Sequence, residues 1–336
     1  MSKNKKINRR DFIRTVGLTG AGFYLAGCSG KPDAVLLSSP AISSSTATPQ
    51  PPDPEAPAEP TADKATYGDV YLSAAHGENP VVMTARAVAA LGGMERFVSS
   101  GDDVIIKPNI CTDYYTYEYA ATTNPDVVAE LVRMSINAGA KRVRVMDNPF
   151  GGTSQNAYRR SGIEESVINA GGEMEVMNSN KFRSNPIPDG VDITEWIFYQ
   201  DILNADVVIN VPIAKHHGTT GLTLGCKNLM GTILHRGQIH ANIYQRIADL
   251  TSAVRPALTV VDGIRTLMDN GPTGGNLNDV KMSNTVIASA DIVAADSRAA
   301  QLFGLTGADI GYINAAAAMG LGTMDLDAVK VEEFSV

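Results

Sequence analysis

The stretch from Val207 to Thr232 concentrates the side chains that could do chemistry. An apolar run, Val207-Val208-Ile209-Asn210-Val211-Pro212, delivers Ile213-Ala214-Lys215-His216-His217 and then a loop holding Gly218, Gly221, Gly225 and Gly231. Glycines permit close backbone approach, and Thr219, Thr220, Thr223, Lys215 and Lys227 supply donors around the same loop. Backbone amides together with Lys215 or Lys227 would suit an anion there. The spacing is not a Walker loop, because no Gly-Lys-Ser/Thr closes it, and the dinucleotide glycine fingerprint is missing. Plain loop geometry is the competing reading of these glycines.

Four of the five histidines, His216, His217, His235 and His240, fall in this stretch and its immediate sequel. Imidazoles so grouped raise a transition metal as a cofactor. Yet adjacent His216 and His217 point to opposite sides of an extended chain, and His235 and His240, five apart, share no helix face. A metal would therefore need other ligands, and Asp147, His217 and Asp296 are the expected set. One of the paired histidines as proton carrier competes with that role, as does a solvated loop position.

Three further loops are expected to converge on the same place. Lys107-Pro108-Asn109 ends one apolar run, Asp147-Asn148-Pro149-Phe150 ends another, and Asp262-Gly263 follows Leu258 to Val261, with Asn270-Gly271-Pro272-Thr273-Gly274-Gly275 soon after. Polar groups at the carboxyl ends of strands are where open α/β sheets bind ligands. The expected catalytic set is Lys215, His216 and His217; the expected cofactor- or ligand-binding set is Lys107, Asn109, Gly225, Lys227, Asn228 and Asp262. The sceptical reading is that Pro-Asn, Asp-Asn-Pro and Gly-Pro are turn formers and nothing more. Tyr114, Tyr115, Tyr117 and Tyr119 form either a half-buried edge or a lid over the cleft.

The elements that must position these groups alternate between short β-rich runs and amphipathic helices, which predicts an α/β fold: a mainly parallel sheet with helices on both faces, in one or two lobes. Strands are expected at 69–73, 103–107, 142–147, 173–177, 206–211, 257–261 and 284–288. Asn124 reads as a helix N-cap, Pro125 as the first helical residue and Gly139 as the residue past the end, with Val128, Leu131, Val132, Ser135 and Ile136 as the buried stripe. A helix over 241–254 should bury Ile243, Ile247, Leu250 and Val254 and turn Gln245, Arg246 and Asp249 outward. A third, over 291–303, places Asp296 on the stripe of Ile292, Ala295, Ala299 and Phe303. A carboxylate there must be paired, hydrogen-bonded or protonated, as a structural group or a site residue.

The amino terminus carries an address. Asn8-Arg9-Arg10-Asp11-Phe12-Ile13-Arg14, a short apolar run from Thr15 to Ala26 and Leu25-Ala26-Gly27-Cys28 resemble a twin-arginine export signal ending in a lipoprotein cleavage box. That implies passage through the twin-arginine export machinery and a membrane anchor through lipidated Cys28, on the extracytoplasmic, periplasmic side of the envelope. Residues 1–27 are then the signal, 28–66 a Pro/Ser/Ala-rich spacer too polar to fold, and 67–336 the α/β body. Removing the signal takes Lys3, Lys5, Lys6, Arg9, Arg10 and Arg14 from 28 basic residues and Asp11 from 36 acidic ones, leaving a net charge of −13. So acidic a surface repels phosphate backbones, which argues against nucleic-acid partners. The body has two cysteines, Cys111 and Cys226, short of the four thiolates an iron-sulfur cluster normally takes; whether they pair is open from spacing.

Lys107-Pro108-Asn109, Thr123-Asn124-Pro125, the Asp147 turn, Asn210 through His217, Lys227-Asn228-Leu229-Met230-Gly231, Asp262-Gly263, Gly271 through Gly275, and Asp291 with Asp296 together resemble the domain of unknown function 362 family. Many relatives carry ferredoxin-like cysteine runs, which implies a redox association. This chain lacks such a run, so a redox role here would need a partner or another cofactor. Two α/β lobes around a Lys- and His-bearing cleft also resemble, more distantly, the nickel-cofactor lactate racemase type, a likeness of fold that sets no mechanism. Two functions follow as expectations. One is an envelope enzyme acting on a small anionic or metal-bound ligand. The other is a lipoprotein that captures such a ligand without chemistry.

Overall fold

The computed structural model describes residues 70–336; the expected export signal, Cys28 and the expected spacer lie outside the described residues. Twelve strands are present among the described residues: β1 (Leu72–His76), β2 (Asp103–Pro108), β3 (Arg142–Val145), β4 (Glu173–Met174), β5 (Phe182–Pro186), β6 (Glu195–Tyr199), β7 (Val207–Val211), β8 (Ile213–His217), β9 (Gly221–Thr223), β10 (Leu258–Leu267), β11 (Val280–Ser289) and β12 (Val331–Ser335). Ten of them form one sheet in the order β12-β1-β11-β10-β7-β2-β3-β4, with β8 and β9 continuing beside β10. Pairing is parallel from β10 through β4, and antiparallel where β11 meets β1 and β10. The sheet is therefore mainly parallel, as the alternating pattern predicts.

The helices are α1 (Pro80–Ala90), α2 (Pro125–Asn137), α3 (Ser154–Arg160), α4 (Ile163–Asn169), α5 (Gln200–Asn204), α6 (Gly225–Asn228), α7 (Arg236–Ile239), α8 (Ile243–Val254), α9 (Ile292–Ala300) and α10 (Gly311–Ala318). Successive strand residues feed opposite cores, since a strand's side chains alternate. Val104, Ile106, Val207 and Ile209 pack with Met83 of α1, Leu131 of α2 and Val167 of α4. Ile105, Val208 and Val261 face the other way, onto Ile247 of α8, Val293 of α9 and Ile313 of α10. Both faces are covered, which explains why these strands read as unbroken apolar runs.

The order of the strands also marks a place for function. From β2 the chain moves outward through β3 to β4, then returns to the other side of β2 as β7 and continues to β10. The carboxyl ends of β2 and β7 therefore flank a topological switch point, where the crossovers diverge and leave a crevice. β7 does not stop there. After Pro212 it resumes as β8, which pairs with the far half of β10 and with β9 and carries Lys215 and His217 past the end of the main sheet.

Local expectations hold with corrections. Asn124 caps α2 by accepting from the Asp126 amide, Pro125 begins it, and Gly139 follows it at φ +100°. Ile136 is exposed, while Ser135 beside it in the last turn is fully buried. Asp249 was expected to face solvent and instead is fully buried. The loop over 190–193 crosses α8 there and donates the amides of Val191, Asp192 and Ile193 to its carboxylate, each at 2.9 Å, with Gln245 Nε2 adding a fourth bond. The expected strand at 257–261 runs on to Leu267, and 173–177 shortens to Glu173–Met174. Strands β5, β6, β8, β9 and β12 carry no clear alternation of apolar and polar residues and were not expected.

Asp249→Ala would strand three backbone donors, so it should lower unfolding stability by about 2–4 kcal/mol. Urea denaturation measures this, and an unchanged midpoint would contradict the burial of that carboxylate.

Candidate functional site

Lys107, the last side chain of β2 before Pro108, is buried with 1% of its surface exposed. An ammonium has three donors, and all three are placed: Asp147 Oδ1 at 2.7 Å, Pro108 O at 2.9 Å and Asn228 Oδ1 at 3.0 Å. Burial pushes the Lys107 pKa down, and Asp147 opposes that shift. Asp147 follows β3 and is equally occupied, accepting from the Ile110 amide at 2.6 Å and the Asn148 amide at 2.8 Å. Tyr158 of α3 fixes the turn by donating to the Asp147 carbonyl.

The pair extends into a side-chain network. Asn228 in α6 accepts from Lys107 and from Asn109 Nδ2 at 2.9 Å, and donates to Lys107 O at 3.2 Å and Asn210 Oδ1 at 2.8 Å. Its amide has no bond left to make. Asn109 Oδ1 in turn accepts from Lys215 Nζ at 3.0 Å, and Lys215 gives a second bond to Ala121 O at 2.7 Å. Lys215 keeps one donor. Lys227, one residue before Asn228, is 9% exposed, and its nearest polar contact is the Met230 thioether at 3.8 Å. Burial and the neighbouring Lys215 bring the Lys227 pKa down to about 8.

These groups line one cavity of about 290 Å³ with Ile110, Cys111, Asn148, Phe150, Thr223, Arg236, His240 and Pro272. His217 lines it too. Its Nδ1 accepts the Thr219 amide at 3.1 Å, so the neutral ring carries its proton on Nε2. Burial, then Lys227 and Lys215, push its pKa down to about 3, and it stays neutral at physiological pH. His217 is thus a hydrogen-bond donor with its basic nitrogen engaged, which removes the expected proton carrier.

The cavity gathers Lys107, Asn109, Asp147, Lys215, His217, Lys227 and Asn228 from the expected residues. It leaves out four. His216, on the opposite face of β8, accepts the Gly271 amide at 3.1 Å. Asp262 sits within β10 rather than at its end, and its oxygens take the amides of Asn124 at 2.7 Å and Ile264 at 3.0 Å. Burial raises its pKa to about 6. Asp296 in α9 accepts from the Gly225 amide at 2.6 Å and the Cys226 amide at 2.9 Å, with burial raising its pKa to about 7. Gly225 is packed on that carboxylate, where an added Cβ would lie 2.6 Å from Asp296 Oδ1. Both are structural, and the expected metal set of Asp147, His217 and Asp296 does not assemble. Among the described residues no three His, Cys, Asp or Glu side chains gather as metal ligands.

Sequence reasoning missed Arg236 and used Cys111 only as a thiol that might pair. Both cysteines are free and buried. Cys111 lines the cavity and donates to Pro272 O at 3.3 Å, while Cys226 lies behind it on α6. Arg236 donates to Asn148 O at 2.5 Å. The small β5–β6 sheet holds the segment that leads to it, through Trp196 Nε1 to Leu234 O at 2.9 Å and Leu234 N to Ile197 O at 3.0 Å. The four tyrosines do not line the cavity. Tyr115 and Tyr119 stack at 4.7 Å, and Tyr117 lies under Arg265. Phe150 is the aromatic at the wall, 58% exposed.

The model of the family described as Domain of unknown function (DUF362) matches residues 104–301, and the chain belongs to that family. Every residue lining the cavity falls within the matched span. A Synechocystis sp. protein described as "Thylakoid-associated protein sll1697" is 27% identical over 247 residues, which cover 69% of this chain and 72% of that one. The lactate racemase apoprotein from Thermoanaerobacterium thermosaccharolyticum is similar over 67% of this chain at 11% identity and a TM-score of 0.42. This chain spans 55% of that protein's length, and so loose a likeness fixes neither substrate nor cofactor.

Gly231 faces the Lys107–Asp147 pair so closely that an added Cβ would collide with Asp147 Oδ1 and lie 2.5 Å from Lys107 Nζ. Gly231→Ala should therefore cost about 1–3 kcal/mol in thermal or urea unfolding. A variant as stable as the parent would place the pair elsewhere.

Proposed function

We propose that this member of the family is an exported, lipid-anchored envelope protein whose cation-lined cavity binds a small anion and acts on it. One observation carries the reading. Lys215, Lys227 and Arg236 meet at one cavity, while the only carboxylate among its lining residues, Asp147, is already neutralised by Lys107. Three cationic side chains with no carboxylate of the described residues within ion-pair distance repel one another until an anion arrives. The volume, about 290 Å³, suits a small oxyanion or carboxylate rather than a nucleotide.

Each group then has a role. Lys215 holds one donor toward the ligand, and Arg236 offers a planar guanidinium suited to two oxygens at once. His217 Nε2–H donates without changing charge. Lys227 is the lining lysine whose charge changes near neutrality, so proton movement in this site falls to it rather than to His217. A metal would come with the ligand, held by the anion more than by resident side chains. Capture without chemistry is the second reading, supported by the engagement of Nδ1 in both His216 and His217 by backbone amides. Product analysis of candidate anions separates the two.

Export and anchoring rest on Arg9-Arg10 and on Leu25-Ala26-Gly27-Cys28, with residues 28–66 as the spacer that would hold the body off the bilayer. No helix among the described residues is long and apolar enough to cross a membrane. The thylakoid association in the name of the Synechocystis relative accords with a membrane-associated life. Labelling with a radioactive fatty acid should mark the wild-type chain and not Cys28→Ala; equal labelling would remove the anchor.

Oxalate or sulfate binding, measured by calorimetry, should fall about 10- to 100-fold in Lys227→Met, as expected for loss of a charge-assisted hydrogen bond. Because Lys227 is cationic below about 8 and neutral above it, affinity should fall as pH rises through that value, and Lys227→Met should lose that fall. No fall through that value, or the same fall in Lys227→Met, would contradict the assignment.

A further inference from the structure

Lys227 is placed unlike the other buried cations. Arg144 is held by Asp103, Glu175 and Asp201. Lys107 has Asp147 and two further acceptors, and Lys215 has two oxygen acceptors. Lys227 is about nine-tenths buried, lines the cavity and has a thioether at 3.8 Å in place of any oxygen. A buried ammonium with no acceptor and with Lys215 and Arg236 beside it is disfavoured as a cation, and its pKa of about 8 leaves an appreciable share as neutral amine at neutral pH. A desolvated lysine next to a second cation is one of the recognised ways to make an amine nucleophilic. An ordinary exposed lysine has far less free amine at the same pH.

A nucleophilic amine in a cavity that draws anions selects its reaction partner. The ligand must carry a negative group for Lys215 and Arg236 and an electrophilic carbon within reach of Nζ. Small 2-oxo carboxylates have both on adjacent atoms, and their carbonyl oxygen can accept from a neutral donor such as His217 Nε2–H. We propose that Lys227 Nζ condenses with the carbonyl carbon of a small 2-oxo carboxylate to form an imine. This inference rests on the anion-binding reading above and names the substrate class for that same site. In the step, the nitrogen lone pair forms the C–N bond while the carbonyl π pair moves to oxygen. The two protons of the neutral amine then leave with that oxygen as water, and the C=N bond forms. One amine and one carbonyl give one imine and one water, with no change of oxidation state.

Reductive trapping tests it on the full chain. The protein is incubated at neutral pH with glyoxylate and cyanoborohydride, which converts an imine to a stable secondary amine, and the modified lysines are mapped by peptide mass spectrometry. Lys227 should be modified at least about tenfold faster than the exposed Lys141 and Lys281, and sulfate should slow that modification alone. Lys227→Arg should lose the fast adduct. Because the mapping is made on the wild-type protein, the test does not depend on the variant folding. Labelling of Lys227 no faster than Lys141 or Lys281 overturns the inference. If sulfate still binds in the cavity by calorimetry, only the nucleophile is lost; if sulfate does not bind, the anion site is lost with it.

Discussion

The ion pair between Lys107 and Asp147 is the constraint on which the site depends. Two adjacent parallel strands, β2 and β3, end in a cation and an anion buried at 1% and 3% exposure; all three Lys107 donors are used and Asp147 accepts three bonds. Burying two charges is costly, and removing one of such a pair typically costs about 3–5 kcal/mol because the other is left unpaired. The surroundings are built to prevent that: the Ile110 and Asn148 amides on the carboxylate, Pro108 O and Asn228 on the ammonium, and no side chain at Gly231. The pair thereby fixes α6 against the ends of β2 and β3.

What the pair consumes decides what remains for a ligand. Asn228 and Asn109 pass hydrogen bonds from Lys107 to Lys215; Asn228 has no capacity left and forms wall, while Asn109 keeps one N–H and one oxygen lone pair. The same network neutralises the cavity's carboxylate. Lys227, Lys215 and Arg236 are then the cavity cations without an ion-paired carboxylate among the described residues, and in the proposed reading an anion relieves their mutual repulsion. The switch point between β2 and β7 supplies the crevice, and β8 carries Lys215 and His217 into it.

Much of this was legible in the sequence. The apolar runs gave β2, β3, β7 and the start of β10, and Asn124-Pro125 with Gly139 gave both ends of α2, because those signals act locally. That Lys107, Asp147, Lys215 and Lys227 share one hollow followed from their positions at strand ends. Partner assignments did not follow, since they depend on which acceptors a third segment brings. The sequence treats Lys107 and Lys227 alike, yet one is saturated and the other has no oxygen acceptor. Asp262 and Asp296 differ from expectation for a related reason: Asp296 binds two backbone amides across the fold, Asp262 binds the distant Asn124 amide and the nearby Ile264 amide, and β10 runs past Asp262 where a turn is expected. Asp249 misled in the same way. Arg236 gave no periodic or motif signal; only its place after the Gly-rich block, between His235 and His240, set it apart.

A crystal structure of the protein grown with oxalate examines the central claim most directly. The anion is expected in the cavity between β2 and β8, with its oxygens within hydrogen-bonding distance of Lys215 Nζ, Lys227 Nζ and the Arg236 guanidinium. An empty cavity at saturating oxalate, with Lys227 Nζ turned onto a carboxylate of the protein itself, would contradict it.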